Sequence, residues 1–214
     1  MPKNHVSINL VDVVSFSHDF SLDEDLYNRI SILFWLKLYI FVRTRTMDVF
    51  PIIDEVKSLE NISHFSMSGQ EYNSVTKDSG QFKHPPLRGL WHKHFFTAQF
   101  LAQNILKAHA KKGAGKRRME KFFTEHEGAE IDQTILGLLA DEMTTGAFKD
   151  TLDQKKLTGE WVVFSHNSGK NYYLTCSFHN RDHWLDYEEI KQFCVPEFPH
   201  LRVWAALQFG LGRC

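Results

Sequence analysis

The stretch from Gly159 to His179, GEWVVFSHNSGKNYYLTCSFH, constrains the fold most. Trp161, Val162, Val163 and Phe164 form one short apolar run, and Tyr172 to Phe178 forms a second. Asn167-Ser168-Gly169-Lys170 separates them. Aromatic and β-branched runs joined by a polar tetrapeptide with Gly predict a β-hairpin. With Ser168 and Gly169 at the turn, Ser165 faces Tyr172, Val163 faces Leu174 and Trp161 faces Cys176. That side reads as core. The other carries Val162, Phe164, His166, Asn171, Tyr173, Thr175, Ser177 and His179, so it begins apolar and ends as a row of imidazole, phenol and hydroxyl groups suited to acid/base chemistry.

Around the hairpin the pattern turns helical. Ile52, Ile53, Val56 and Leu59, with Pro51 near the start, predict a helix over 49–59. Phe96, Phe100, Leu101, Ile105 and Ala108 predict another over 95–111. Ile131, Ile135, Leu138 and Leu139 predict a third over 129–143. Asp186 is placed to cap a helix running to Cys194. Residues 201–207 suit a final strand or short helix. The fold class expected is α+β, with N-terminal helices packed on a small antiparallel sheet that contains the hairpin.

The most hydrophobic segment is Ile30 to Val42. At roughly 13 residues, interrupted by Lys37, it falls short of the ~20 that span a bilayer, so no membrane association is expected. It reads as a buried helix or strand, or as part of an adventitious or self-associating extension over 1–46, because Met47 begins what resembles an ordinary N-terminus. Residues 47–214 would then form a single α+β domain. Three cysteines in 214 residues do not make a disulfide framework, and a reducing, cytoplasmic location is expected.

The net charge is −1, so no global field selects a polyanion. Local clusters could. Lys83 to Phe96 holds His84, Arg88, His92, Lys93 and His94 at an expected loop-to-helix junction. Three readings compete: wet-rim filler, phosphate or RNA contact with acid/base catalysis, and a metal site from His84, His92 and His94. Lys107, Lys111, Lys112, Lys116, Arg117, Arg118 and Lys121 form the strongest charge run, either a solvated helix end or a phosphate-contacting patch. His179 and His183 follow the hairpin and also suit an ordinary loop.

The pieces G-E-W-V-V-F and N-x-G-K-N-Y-Y-L-T, with a trailing His, resemble the small RNase-toxin superfamily that groups barnase, EndoU, colicin-type tRNases and RelE-like toxins, phage-borne versions included. The resemblance covers roughly 83–200. It implies a metal-independent endoribonuclease of toxin or phage-conflict type, a hydrolase with no cofactor, RNA as substrate and a cognate inhibitor protein as a further partner. On that reading His92, His94 and His166 are acid/base candidates. Tyr173, Thr175 and His179 line the sheet face. Arg88, Lys93, Lys170, Lys112, Lys116, Arg117 and Arg118 contact phosphate. A non-enzymatic nucleic-acid or protein-binding module and a His-ligated metal-dependent hydrolase are the alternatives.

Overall fold

The computed structural model describes residues 8–65, 69–97, 101–128, 132–153 and 159–209. The chain forms two compact units. The first joins residues up to Tyr72, Asp78–Phe95 and Glu160 onward. The second is Asn73–Lys77 with Phe96–Gly159. The division is therefore not at residue 46. It comes from a segment placed in the chain between two strands.

The first unit is α+β. Helices α1 (Leu10–His18), α2 (Glu24–Tyr27), α3 (Ile32–Thr44) and α4 (Phe50–Leu59) precede a four-stranded antiparallel sheet. Its strands β1 (Gly80–Gln81), β2 (Trp91–Phe95), β3 (Glu160–Asn167) and β4 (Lys170–Ser177) lie in that order. Among the described residues no helix is long and apolar enough to cross a membrane.

The apolar stretch expected as a helix, a strand or an appendage is α3. Ser31 starts it by accepting a hydrogen bond from the Phe34 N–H, and Arg45 ends it in the left-handed region. Leu33, Phe34, Trp35, Leu38 and Phe41 are buried. Phe34, Trp35 and Leu38 meet Ile52, Ile53 and Val56 of α4 and Val162, Phe164, Tyr173 and Cys176 of the sheet in one core. The N-terminal segment is built into the domain, because its apolar faces are covered by the sheet. Just before α3, Ser31 N–H donates to the Tyr173 carbonyl and Tyr173 N–H to the Arg29 carbonyl, so this segment covers the β4 edge.

The second face of the sheet is covered too. Val163 and Leu174 pack with Leu87, Leu90, Tyr187, Ile190, Cys194, Phe198 and Leu201. Most of these come from α9 (His183–Glu189), the π-helical turn Ile190–Cys194 that continues it, α10 (Val195–Glu197) and α11 (Leu201–Phe209), or from their junctions. Residues 201–207 are thus helical. Asp182, not Asp186, caps α9, accepting from the Trp184 N–H.

The hairpin forms, but its register departs from the simple expectation. Asn167 pairs with Lys170, Ser165 with Tyr172 and Phe164 with Tyr173. Val163 then pairs with Thr175, Val162 with Cys176 and Trp161 with Ser177. Leu174 is the extra residue of a bulge, which reverses the facing of everything after it. Tyr173 and Cys176, three residues apart, consequently share one core. Trp161 faces Ser177 rather than Cys176. The expected open row of polar groups does not exist: Tyr173, Thr175 and Ser177 are all fully buried.

The second unit is helical, with α5 (Leu101–Ala110), α6 (Ala114–Glu125), α7 (Gln133–Asp141) and α8 (Ala147–Asp153). Of the helix expected over 95–111, Leu101–Ala110 is helical, Phe95 ends the strand Trp91–Phe95, and residues 98–100 lie outside the described residues. The start of the helix expected over 129–143 lies outside the described residues. Arg118 of α6 ties this unit together. Its guanidinium reaches Glu142, before α8, at 2.5 Å, and Asp150 within α8.

Candidate active site

β2 pairs with β3 along its length: Trp91 with Phe164, His92 with Val163, Lys93 with Val162 and His94 with Trp161. Alternation along the strand sorts the His-Lys-His triplet. Lys93 and Phe95 point toward the N-terminal helices, where Lys93 lies 3.6 Å from Glu55. His92 and His94 point to the opposite face and border Trp161, at ring separations of 5.4 and 6.1 Å. The triplet is therefore strand, not a loop-to-helix junction, and its two imidazoles share one surface.

The chain after β4 adds two more. The His179 ring lies 4.2 Å from Trp161 and stacks on His94 at 5.6 Å. His183 lies 5.3 Å from Trp161. Phe82 closes the group against His92 and Trp161, at 4.7 and 5.4 Å. Four imidazoles thus surround one indole.

Two of the four are oriented by carboxylates. His179 Nδ1 lies 3.0 Å from Glu160 Oε2, which also accepts the His179 backbone N–H. His183 Nδ1 lies 3.1 Å from Asp186 Oδ2. Holding Nδ1 this way leaves Nε2 of each ring for proton exchange. Asp186 is itself fully buried, among Ser177, Arg181 and Lys37, with the latter two at 2.8 and 3.6 Å. Those partners fix the carboxylate in place.

The inner pair differs. His94 is 7% exposed, whereas the His179 side chain is 41% exposed, so the cluster runs from a wet edge to a dry interior. Burial, with a smaller contribution from the nearby His179, lowers the pKa of His92 below the ordinary imidazole value. His92 is therefore neutral near pH 7 and can accept a proton. Its Nδ1 and the Trp161 Nε1 are buried with no hydrogen-bond partner among the described residues. Buried polar atoms without a partner are costly, and two of them lie in this one cluster. Gly80 opposes His92 on β1, and a Cβ there would lie 3.1 Å from His92 Cε1. The glycine leaves room at that ring edge.

Other residues expected in the site lie elsewhere. His166 lies at the hairpin end of β3, 4.7 Å from Trp91. The facing alternates along the strand, so it is not on the surface of His92 and His94. Tyr173 is core: its hydroxyl donates to Glu60 at 2.7 Å, and burial above all raises its pKa. Thr175 is sealed inside. Neither can meet a substrate. Lys93 is buried against α4, and Lys170 pairs with Asp25 at 2.6 Å beside the hairpin turn. Arg88 lies before β2, where its carbonyl accepts from Trp204 and Gln208. Lys116, Arg117 and Arg118 belong to α6 of the second unit, and the side chain of Lys112 lies outside the described residues.

Sequence reasoning missed the contributions of Trp161, Glu160, Phe82, His183 and Asp186. The spacing of His183 and Asp186, three residues apart on a helix, was the one legible signal. Among the described residues no three His, Cys, Asp or Glu side chains are grouped to hold a metal ion. No protein-family model, curated protein or solved structure matches the chain.

Proposed function

We propose that the chain cleaves RNA without a metal ion, by acid/base chemistry at the imidazole cluster around Trp161. One observation carries the reading. A neutral, half-buried imidazole, His92, shares a surface with His179, whose Nδ1 is held by Glu160. A poised base beside an oriented acid is what transesterification of a phosphodiester requires.

In this reaction His92 takes the proton of a ribose 2′-hydroxyl, and that oxygen attacks the adjacent phosphorus. The bond from phosphorus to the 5′-oxygen breaks, and protonated His179 gives its proton to the leaving oxygen. The products are a 2′,3′-cyclic phosphate and a 5′-hydroxyl. His183, oriented by Asp186, flanks the pair at the wet edge. Its imidazolium would stabilise negative charge on the phosphorane.

The test is cleavage of labelled RNA in the presence of a chelator. His92→Ala and His179→Ala should each reduce the rate by about 10²–10⁴-fold, with the fold intact by circular dichroism. Full activity in both variants, or RNA bound by the unaltered chain without turnover, would overturn the proposal. The second outcome would leave a binding module.

A further inference from the structure

We propose that the loop joining β1 to β2, residues 83–88, is a clamp for the backbone phosphates of the nucleic-acid strand that enters the imidazole cluster. This assignment rests on the acid/base reading of the cluster, which sets one phosphodiester of the strand at His92.

The loop starts inside the cluster. Phe82 packs on His92 and Trp161 and lies 6.1 Å from the His183 ring. The backbone there extends the ladder: Phe82 N–H donates to the Leu90 carbonyl, and Gly89 N–H to the Phe82 carbonyl. Residues 83–88 therefore close the β1–β2 hairpin. Two strand residues, about 7 Å, separate Leu90 from His92.

The charge of this segment is one-sided. From Ser79 to Phe95 the chain holds no acidic residue. It holds Lys83, Arg88 and Lys93, of which Lys93 is paired with Glu55 on the opposite face. Lys83, His84 and Arg88 are exposed. None of these three side chains has an ion pair or hydrogen bond with another described residue. Exposed cations without a counter-charge of their own raise the local potential and draw an anionic strand toward the cluster, although the chain as a whole is close to neutral.

The backbone beneath these side chains is fixed. The Arg88 carbonyl accepts from Trp204 Nε1 at 3.0 Å and from Gln208 Nε2 at 3.1 Å, and the Gly89 carbonyl from Gln81 Nε2 at 3.0 Å. Leu87 and Leu90 are buried in one core with Tyr187, Ile190 and Leu201. Binding then orders exposed side chains and not the loop itself, which lowers its entropic cost. Cations at the two ends of a fixed loop suit successive phosphates of one strand. A small free anion is instead gripped by donors that converge on a concave site.

The probe is a short fluorescein-labelled 2′-O-methyl oligoribonucleotide, whose 2′-oxygen carries no proton and which therefore binds without being cleaved. Its anisotropy is followed with the full chain over a series of salt concentrations. Each phosphate neutralised on a single strand contributes about 0.7 to the slope of log K against log salt, so K83Q/R88Q should flatten that slope by about 1.4 and weaken binding by about tenfold or more at low salt. K83R/R88K keeps both charges and should bind as the unaltered chain does. With cleavable RNA, K83Q/R88Q should raise KM by about tenfold and leave kcat little changed, as expected of groups that hold the substrate outside the reacting centre. Binding that depends on Lys83 and Arg88 without any cleavage would keep the clamp and remove the acid/base reading. Cleavage in which K83Q/R88Q matches the unaltered chain in salt slope and KM would do the reverse. No binding of the oligonucleotide at low salt would overturn the clamp. So would equal affinity for polyglutamate of matched charge, which would mark an acidic protein as the partner.

Discussion

His94 and Trp161 face each other across the β2–β3 ladder. Because side chains alternate, that single pairing brings His92 to the same surface, opposite Val163. It also sets His94 against the His179 ring, and both imidazoles beside Trp161, which the His183 ring borders as well. Residues more than sixty positions apart in the chain thereby become one cluster, and its properties can be tested separately from any activity.

The pH response of His92 follows from its burial. Its folded pKa is lowered, first by desolvation and then by His179, so the unfolded chain binds a proton more readily than the folded one. The contribution of this group is therefore fully present above the unfolded value, about 6.5. It is lost as pH falls from there through the lower folded value. Titration of the His92 ring by NMR should give a midpoint below 6.5. Urea midpoints of His92→Phe should fall less steeply than those of the unaltered chain as pH drops below 6.5. A ring that titrates at or above that value would contradict the assignment.

Asp186 is fully buried; it accepts from the Ser177 hydroxyl, lies 3.1 Å from His183 Nδ1 and forms ion pairs with Arg181 and Lys37. Asp186→Ala removes one charge from this set and strands the others. Breaking a buried ionic cluster in that way costs on the order of 3–5 kcal/mol. Equilibrium denaturation should show a loss of that size, far exceeding the loss from Lys116→Ala. Lys116 pairs with Glu120 only at the surface, where such pairs contribute about 0–1 kcal/mol. Equal losses in the two variants would show that Asp186 is not the hub described.

The N-terminal segment is tested through Phe34. Its ring is completely buried and packs edge-on against Tyr173 at 6.4 Å. Phe34→Ala should destabilise the first unit by about 3–5 kcal/mol, from lost burial and the cavity left behind. Thermal or chemical denaturation measures it. A change under about 1 kcal/mol would mean that α3 does not belong to the core.

Much of the fold was legible because it depends on local pattern. The hairpin at Asn167–Lys170, α4 starting near Pro51 and the helical run of α7 all follow from turn chemistry, capping and apolar periodicity. The α+β class followed from them. His92, His94 and His179 were recognisable as unusual by residue type alone.

What the sequence by itself determined was where turns, strands and amphipathic faces begin and end, since neighbouring residues set those. Tertiary structure decided which face each side chain took. The bulge at Leu174 exchanged the sides of the second half of β4, putting Ser177 opposite Trp161 and Thr175 opposite Val163, while Tyr173, before the bulge, is sealed by the core under the N-terminal helices. The pairing of β2 with β3 turned an apparent helix start into a strand and set His92 and His94 on one face. Both are contacts between segments far apart in the chain, and a one-residue shift in such a contact moves a side chain from solvent to core without changing the composition of either strand.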